Sequence, residues 1–307
     1  MSGKNVTEVR LADAEGIAEA ARILESGGLV AVPTETVYGL AARADSAEAV
    51  ARIYAAKGRP DFNPLIVHVR DAAQAAEYAE FSPMARALAE AHWPGPLTLV
   101  LPRREDAALA QAVTAGLPTV ALRAPAHPAM RALLAAVGFP LAAPSANRSG
   151  FISPTTPAHV LASLDGRIDM VLDGGPTAQG VESTIVAVRD DGSVEELRPG
   201  PLQFRTGGAS VEARIEAPGQ LASHYAPGKP VRLDALVAEA DEFLIGFGAV
   251  AGDVTLSARG DLTEAASRLY AALHEAARAP QPRIAVAPVP KEGVGRAIND
   301  RLRRAAA

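Results

Sequence analysis

The chain contains no cysteine, which excludes disulfides, cysteine-ligated zinc, iron–sulfur clusters and a thiol nucleophile together. Lysine is scarce as well. Only Lys4, Lys57, Lys229 and Lys291 stand among 30 basic residues, so arginine serves almost everywhere a generic cation would do. Aromatic residues make up 4% of the sequence, which leaves little material for stacking nucleic-acid bases. No run has the apolar length of a membrane span, and the N-terminal stretch with Lys4, Glu8, Arg10, Asp13 and Glu15 lacks the apolar core of a signal peptide. These absences predict a soluble, cytoplasmic (cytosolic) protein with no membrane partner. The net charge of −5 argues against nucleic-acid binding by bulk phosphate neutralisation, although a local basic groove remains compatible with it. P-loop, nucleophile-elbow and HExxH patterns are all missing, so the sequence makes no case for a P-loop ATPase, an α/β-hydrolase or a zincin.

What is present is apolar and alternating. A length of 307 residues with 49% hydrophobic content fits two domains with sizeable cores. A helix over 12–26 leads to a strand over 28–32, and further helices start at Ser82-Pro83 and Thr156-Pro157, each a capping residue followed by proline. Strands are predicted over 65–69, 97–101, 119–123, 141–143, 170–172, 184–188 and 194–197, the last two joined at Asp191-Gly192 as a hairpin. This is an α/β pattern around a twisted, largely mixed sheet, and it occupies residues 1–205. Glycine and proline then accumulate over 206–230, read as a linker, before a smaller α/β unit over 231–307. That unit reads strand (231–233), helix, strand (243–247), strand (254–256), helix (263–277, with Asp261 and Glu264 as a capping box), strand (284–287), helix (295–304). Its Gly246-Phe247-Gly248-Ala249-Val250-Ala251 fits a dinucleotide fingerprint, but another strand-like run follows instead of a helix, which argues against a nucleotide there.

Polar groups concentrate just past the strand over 28–32, in Pro33-Thr34-Glu35-Thr36-Val37-Tyr38-Gly39-Leu40, where α/β proteins place ligand groups. The next segment opens with Asp45 and Glu48 in capping-box spacing, carries Val50, Ile53 and Tyr54 at helical intervals, and closes at Gly58. Lys57 and Arg59 therefore flank a helix end. There they either offset the helix dipole or, as a rare lysine suggests, meet phosphate or carboxylate.

Lys57-Gly58-Arg59 and the distant Ser145-Ala146-Asn147 resemble the Lys-x-Arg and Ser-x-Asn pairs of the YrdC-type L-threonylcarbamoyladenylate synthases, in their long two-domain form. Further matching blocks are Trp93-Pro94-Gly95-Pro96-Leu97-Thr98, Thr119-Val120-Ala121-Leu122-Arg123, Glu182-Ser183-Thr184-Ile185-Val186, Leu197-Arg198-Pro199-Gly200 and Ser223-His224-Tyr225-Ala226-Pro227. The resemblance implies a YrdC-like mixed sheet with helices around a concave cavity, a linker folding over the active site, and a small Rossmann-like α/β domain at the C-terminus. It implies synthesis of L-threonylcarbamoyladenylate from L-threonine, bicarbonate or CO2 and ATP, with release of pyrophosphate and with Mg2+ arriving on the ATP phosphates. The product would pass to a separate tRNA threonylcarbamoyl transferase complex for modification next to the anticodon. By the same resemblance Lys57 and Arg59 are catalytic, Lys57 facing the developing charge. Arg59, Asn63, Thr119, Ser145, Asn147, Ser153, Arg198 and Tyr225 surround ATP, while Thr36, His68, Arg123, Ala143 and Ser183 hold threonine.

Arg123 suits an amino-acid carboxylate because its guanidinium can bind bidentately. His68 in an apolar strand would otherwise be a satisfied structural histidine, and Ser145 and Ser183 plain turn residues. Glu35 and Glu182 are tempting as metal ligands, yet no carboxylate cluster surrounds them in sequence, and the metal ligands stay open. Two departures from the family pattern are Ala41, where another glycine is common, and the irregular stretch 278–283. The rival reading is a non-catalytic RNA-binding or regulatory module on the same concave surface, against which stand the acidic charge and the few aromatics. The covalent second domain favours a monomer.

Overall fold

The computed structural model describes residues 6–204, 216–218 and 224–307. The first part of the chain runs β1 (Glu8–Leu11), α1 (Ala14–Glu25), β2 (Val30–Pro33), β3 (Tyr38–Arg43), α2 (Ala47–Lys57), β4 (Ile66–His68), α3 (Ala72–Ala75), α4 (Pro83–His92), β5 (Leu97–Pro102), α5 (Gln111–Thr114), β6 (Thr119–Arg123), α6 (Pro128–Ala136), β7 (Leu141–Ala142), α7 (Pro157–Leu164), β8 (Met170–Asp173), β9 (Thr184–Val188) and β10 (Val194–Arg198). The rest runs β11 (Val231–Arg232), β12 (Glu242–Gly246), β13 (Val254–Thr255), α8 (Leu262–Arg278), β14 (Arg283–Val286) and α9 (Gly295–Ala305). No helix among the described residues is long and apolar enough to cross a membrane.

Helix starts follow local chemistry. Ser82, Thr156 and Asp261 each cap their helix by accepting a backbone N–H two or three residues on, with proline at the first turn of α4 and α7. The α2 cap is Ser46, whose hydroxyl accepts from Ala49, and not the expected Asp45, whose carboxylate is drawn off by the Arg43 guanidinium at 2.7 Å. At the other end Gly58 takes φ +58°, the left-handed C-cap that a side chain would disfavour. No helix forms between β11 and β12. Leu236 and Val237 in that stretch are 67% and 73% exposed, so an apolar helical face there would have nothing to bury against.

Ten strands form one mixed sheet in the order β1-β8-β2-β3-β7-β4-β6-β5-β9-β10, and a second sheet, β11-β14-β12-β13, is wholly parallel. Parallel pairing sets His68 beside Arg123 at the ends of β4 and β6, while β5, antiparallel to β6 and parallel to β9, starts at that same edge. Alternation then separates two faces. Val67, Leu97, Leu99, Leu101, Val120, Leu122 and Val186 enter the main core with Val50 and Ile53 of α2. Ile66, Val100, Ala121, Ile185 and Ala187 line the opposite face, over which Ala217 lies.

The second core is shared between the two sheets' units. Val37, Ile152, Val181 and Tyr225 pack with Phe243, Ile245, Leu269, Tyr270, Leu273 and Ile298. At this contact Gly180, at φ +71°, lies so close to α8 that a Cβ would meet the Ala266 carbonyl oxygen at 2.3 Å. Gly180→Ala is expected to destabilise the protein by about 2 kcal/mol or more, through backbone strain and overpacking, seen as a lowered urea midpoint.

Candidate functional site

A four-residue turn between β2 and β3 builds one wall. Thr34 Oγ1 accepts from the backbone N–H of Thr36 and of Val37, both at 3.2 Å, and lies 2.8 Å from the Thr36 hydroxyl. Behind it the Glu35 carboxylate accepts from Arg123 Nη2 at 2.5 Å and from the Ala126 N–H at 2.9 Å. Burial acts to raise the Glu35 carboxyl, but the Arg123 charge and these hydrogen bonds outweigh it and hold the group below the usual carboxylate range. Arg123 also donates Nη1 to the Thr36 hydroxyl at 3.1 Å and Nε to the Gly95 carbonyl at 3.2 Å, so two of its five N–H groups have no partner among the described residues. Beside it His68 is 2% exposed, its Nδ1 has no partner, and burial together with the Arg123 charge pulls its pKa down to about 3. The imidazole is therefore neutral at pH 7.

Two further arginines line the same cleft. Arg59 donates to the Asn63 and Pro64 carbonyls at 3.2 and 3.0 Å, and burial lowers it to about 10. Arg198 donates twice to the Ser183 carbonyl, at 3.1 and 2.9 Å, and once to the Ser183 hydroxyl at 3.1 Å. The hydrogen-bond partners of both guanidiniums are neutral oxygens, and the carboxylate charge acting on Arg198 is that of Glu182. Together with Thr36, Gly39, Ala143, Ser145, Glu182, Pro218, His224 and Tyr225 the two arginines line a narrow cleft. At Gly39 the fit is close, since a Cβ there would stand 3.3 Å from Ala143 Cβ.

The family model covering Sua5, YciO and YrdC, described as telomere recombination, matches residues 22–200, and the model of the threonylcarbamoyl-AMP synthase C-terminal domain matches residues 192–307. The chain is 42% identical to the threonylcarbamoyl-AMP synthase of Bacillus subtilis, over 94% of this chain and 92% of that one. It is 38% identical to the enzyme of the same name from Pyrococcus abyssi, over 93% and 92%.

The chain belongs to the Sua5/YrdC family.

It is an enzyme of the two-domain, Sua5-type class of threonylcarbamoyl-AMP synthases. The structure of Pyrococcus abyssi Sua5 complexed with L-threonine superposes with a TM-score of 0.87 at 37% identity, over 98% of this chain and 97% of that one, so the Sua5 fold extends across both domains.

Within this Sua5-type fold the five residues expected around threonine, Thr36, His68, Arg123, Ala143 and Ser183, all line the cleft. Of those expected around ATP, Arg59, Ser145, Arg198 and Tyr225 line it too. Others stand behind it. Lys57, 2% exposed, donates its ammonium to the Ser145 carbonyl at 2.5 Å and to that of Asn147, and burial with the Arg59 charge drives its pKa well below normal. It thereby fixes the loop carrying Ser145 and does not face the cleft. Asn147 and Asn63 are 1% and 2% exposed, each with an unpartnered side-chain oxygen, and Ser153 donates to Glu182 at 2.5 Å. Thr119 lies at the far end of β6, four residues and about 13 Å from Arg123, on the same sheet face but beyond the segment at Ala217.

Thr34, which the sequence put among the polar groups past a strand end, Glu182, weighed there as a metal ligand, and His224, given no ligand role, all line the cleft. His224 Nδ1 is buried without a partner, the same signal that marks His68, and burial lowers its pKa to about 3. Ser223 and the expected domain boundary at 205/206 lie outside the described residues. No group of three or more potential metal ligands exists among the described residues. Glu35 and Glu182, the tempting carboxylates, are both engaged by arginine.

Burial acts to raise the Glu182 carboxyl, but the charges of Arg301 and Arg198 and the Ser153 and Tyr270 hydrogen bonds outweigh it and hold the group at about 2. A depressed carboxylate adds stability that is full above its unfolded value near 4.5 and is lost as pH falls towards 2, about 3 kcal/mol in all. Urea midpoints measured from pH 6 down to pH 2.5 should therefore fall more steeply in the wild type than in E182Q, which lacks this titration.

Proposed function

We propose that this enzyme makes L-threonylcarbamoyladenylate from L-threonine, bicarbonate or CO2 and Mg-ATP, releasing pyrophosphate. The observation that carries the reading is a buried cleft lined by Arg59, Arg123 and Arg198, with Glu182 the one carboxylate on its walls among the described residues. Such a site favours anions, and the free Arg123 N–H groups suit an amino-acid carboxylate beside neutral His68. The Thr36 and Ser183 hydroxyls and the backbone near Ala143 would meet the threonine amine and side-chain hydroxyl.

The reaction needs no protein nucleophile. The threonine amine adds to CO2 and loses a proton, or condenses with bicarbonate and releases water, to give the carbamate. A carbamate oxygen then forms a bond to the α-phosphorus in line as the bond to the pyrophosphate oxygen breaks. Arg59 and Arg198 spread the charge that develops on the phosphates, and Lys57 keeps the Ser145 loop in place. With Glu35 and Glu182 consumed by arginine, magnesium would arrive bound to the nucleotide's own phosphates and not to a protein cage. Thr119 on the same face extends the nucleotide's path past Ala217, so residues 216–218 would have to lift to admit it. The product would serve transfer to tRNA by other proteins, in the cytoplasm, with the chain acting as a monomer.

Pyrophosphate release by the purified chain should depend on threonine, and valine should support it at least about 100-fold less well, because a site that pairs a hydroxyl rejects the analogue lacking one. R123K should raise the threonine KM about tenfold or more by losing the fork. Release that ignores threonine would overturn the reading.

A further inference from the structure

Glu182 is the only acid on the cleft wall among the described residues, and a bare carboxylate there would oppose an anionic ligand. It is not bare. Arg301, on α9 and 119 positions away in sequence, donates Nε to Glu182 at 3.0 Å and is 0% exposed. The same guanidinium donates Nη1 to the Pro199 carbonyl at 2.8 Å and to Asp300 at 3.0 Å. It lies 5.5 Å from the centroid of the Tyr225 ring, itself stacked on Tyr270 at 5.6 Å, and the Tyr270 hydroxyl donates to Glu182 at 2.8 Å.

We propose that Arg301, which no cleft contact would single out, is a positioning residue for the nucleotide side of the cleft, acting through Glu182, Pro199 and the Tyr225 ring. Three neighbours give it leverage. Glu182 precedes Ser183, whose carbonyl and hydroxyl hold Arg198. Pro199 follows Arg198 directly, so one buried guanidinium grips both chain segments that aim that cation. Tyr225 lines the cleft in a left-handed conformation, φ 64°, that a non-glycine residue keeps only when its surroundings hold it. Removing the Arg301 charge would leave Glu182 with the neutral Ser153 and Tyr270 donors, and Arg198 would then be drawn to the carboxylate instead of to the incoming phosphate. Arg301 Nη2 is buried without a partner, a cost tolerated because the other two nitrogens are fully used. At the threonine end Arg123, Glu35 and Thr36 share none of these bonds, and Ser183, which holds Arg198, is the one residue common to both ends.

The inference rests on the assignment of ATP to the Arg59–Arg198 side, and its test separates the two. ATP and threonine affinities are measured by calorimetry on the full chain, alongside pyrophosphate release. R301Q should weaken ATP about tenfold or more while threonine affinity stays within about twofold, and E182Q/R301Q, which deletes both charges, should recover ATP affinity to within about threefold of the wild type. A space-filling role would lower stability without this selective loss and without the rescue. ATP affinity unchanged in R301Q, or a double variant as impaired as the single, overturns the proposal. R301K serves where R301Q does not fold: an ATP affinity at least about threefold weaker with threonine unaffected supports it, and an unaltered ATP affinity overturns it. Wild-type turnover that ignores threonine would count against the proposed reaction alone, since the affinities report on Arg301 separately.

Discussion

Burying cations against neutral oxygens is the constraint on which this site depends. Arg59 and Arg198 spend their donors on backbone carbonyls and a hydroxyl, and Lys57 does the same beneath the Ser145 loop. Carbonyls relieve desolvation without cancelling charge, so the cleft keeps a net positive potential that exposed, carboxylate-paired arginines elsewhere on the chain do not offer. Arg123 is the exception. Its pairing with Glu35 orients the guanidinium and still leaves two N–H groups for a ligand.

The two domains are not independent parts placed side by side. The second core takes Val37, Ile152 and Val181 from the first domain, Tyr225 from the stretch between, and Tyr270 and Ile298 from the second. Glu182 collects donors from both sides, and the tight approach of Gly180 to α8 leaves no slack between them. The second domain therefore reaches the cleft through a few buried polar contacts set in an apolar interface. A tether alone would not need a fully buried ion pair.

Much of the architecture was legible. Capping residues at Ser82, Thr156 and Asp261, the glycine after Lys57, the Asp191-Gly192 hairpin and the alternating strands all act within a few residues, and the structure agrees with them. The failures share a cause. β1 is exposed along its whole length and carries no pattern to read, while the helix expected between β11 and β12 lacked a surface to pack on. Asp45 looked like a cap until Arg43, two residues earlier, claimed it. Among the expected site residues, Thr36, His68, Arg123, Arg198 and Ser183 line the cleft, whereas Lys57, Asn63, Asn147 and Ser153 stand behind it and Thr119 lies at the far end of β6.

The sequence by itself determined the local elements, the chain's two-part organisation and the chemical identity of the groups at the strand ends, because caps, turns and alternation are short-range effects. Only the tertiary structure decided which of those groups face the cleft and which charges are compensated. Strand order sets His68 beside Arg123, and helix packing delivers Arg301 to Glu182 across 119 positions. Compensation of a buried charge depends on distance in space and on the dielectric around it, and neither quantity is written in the spacing of residues along the chain.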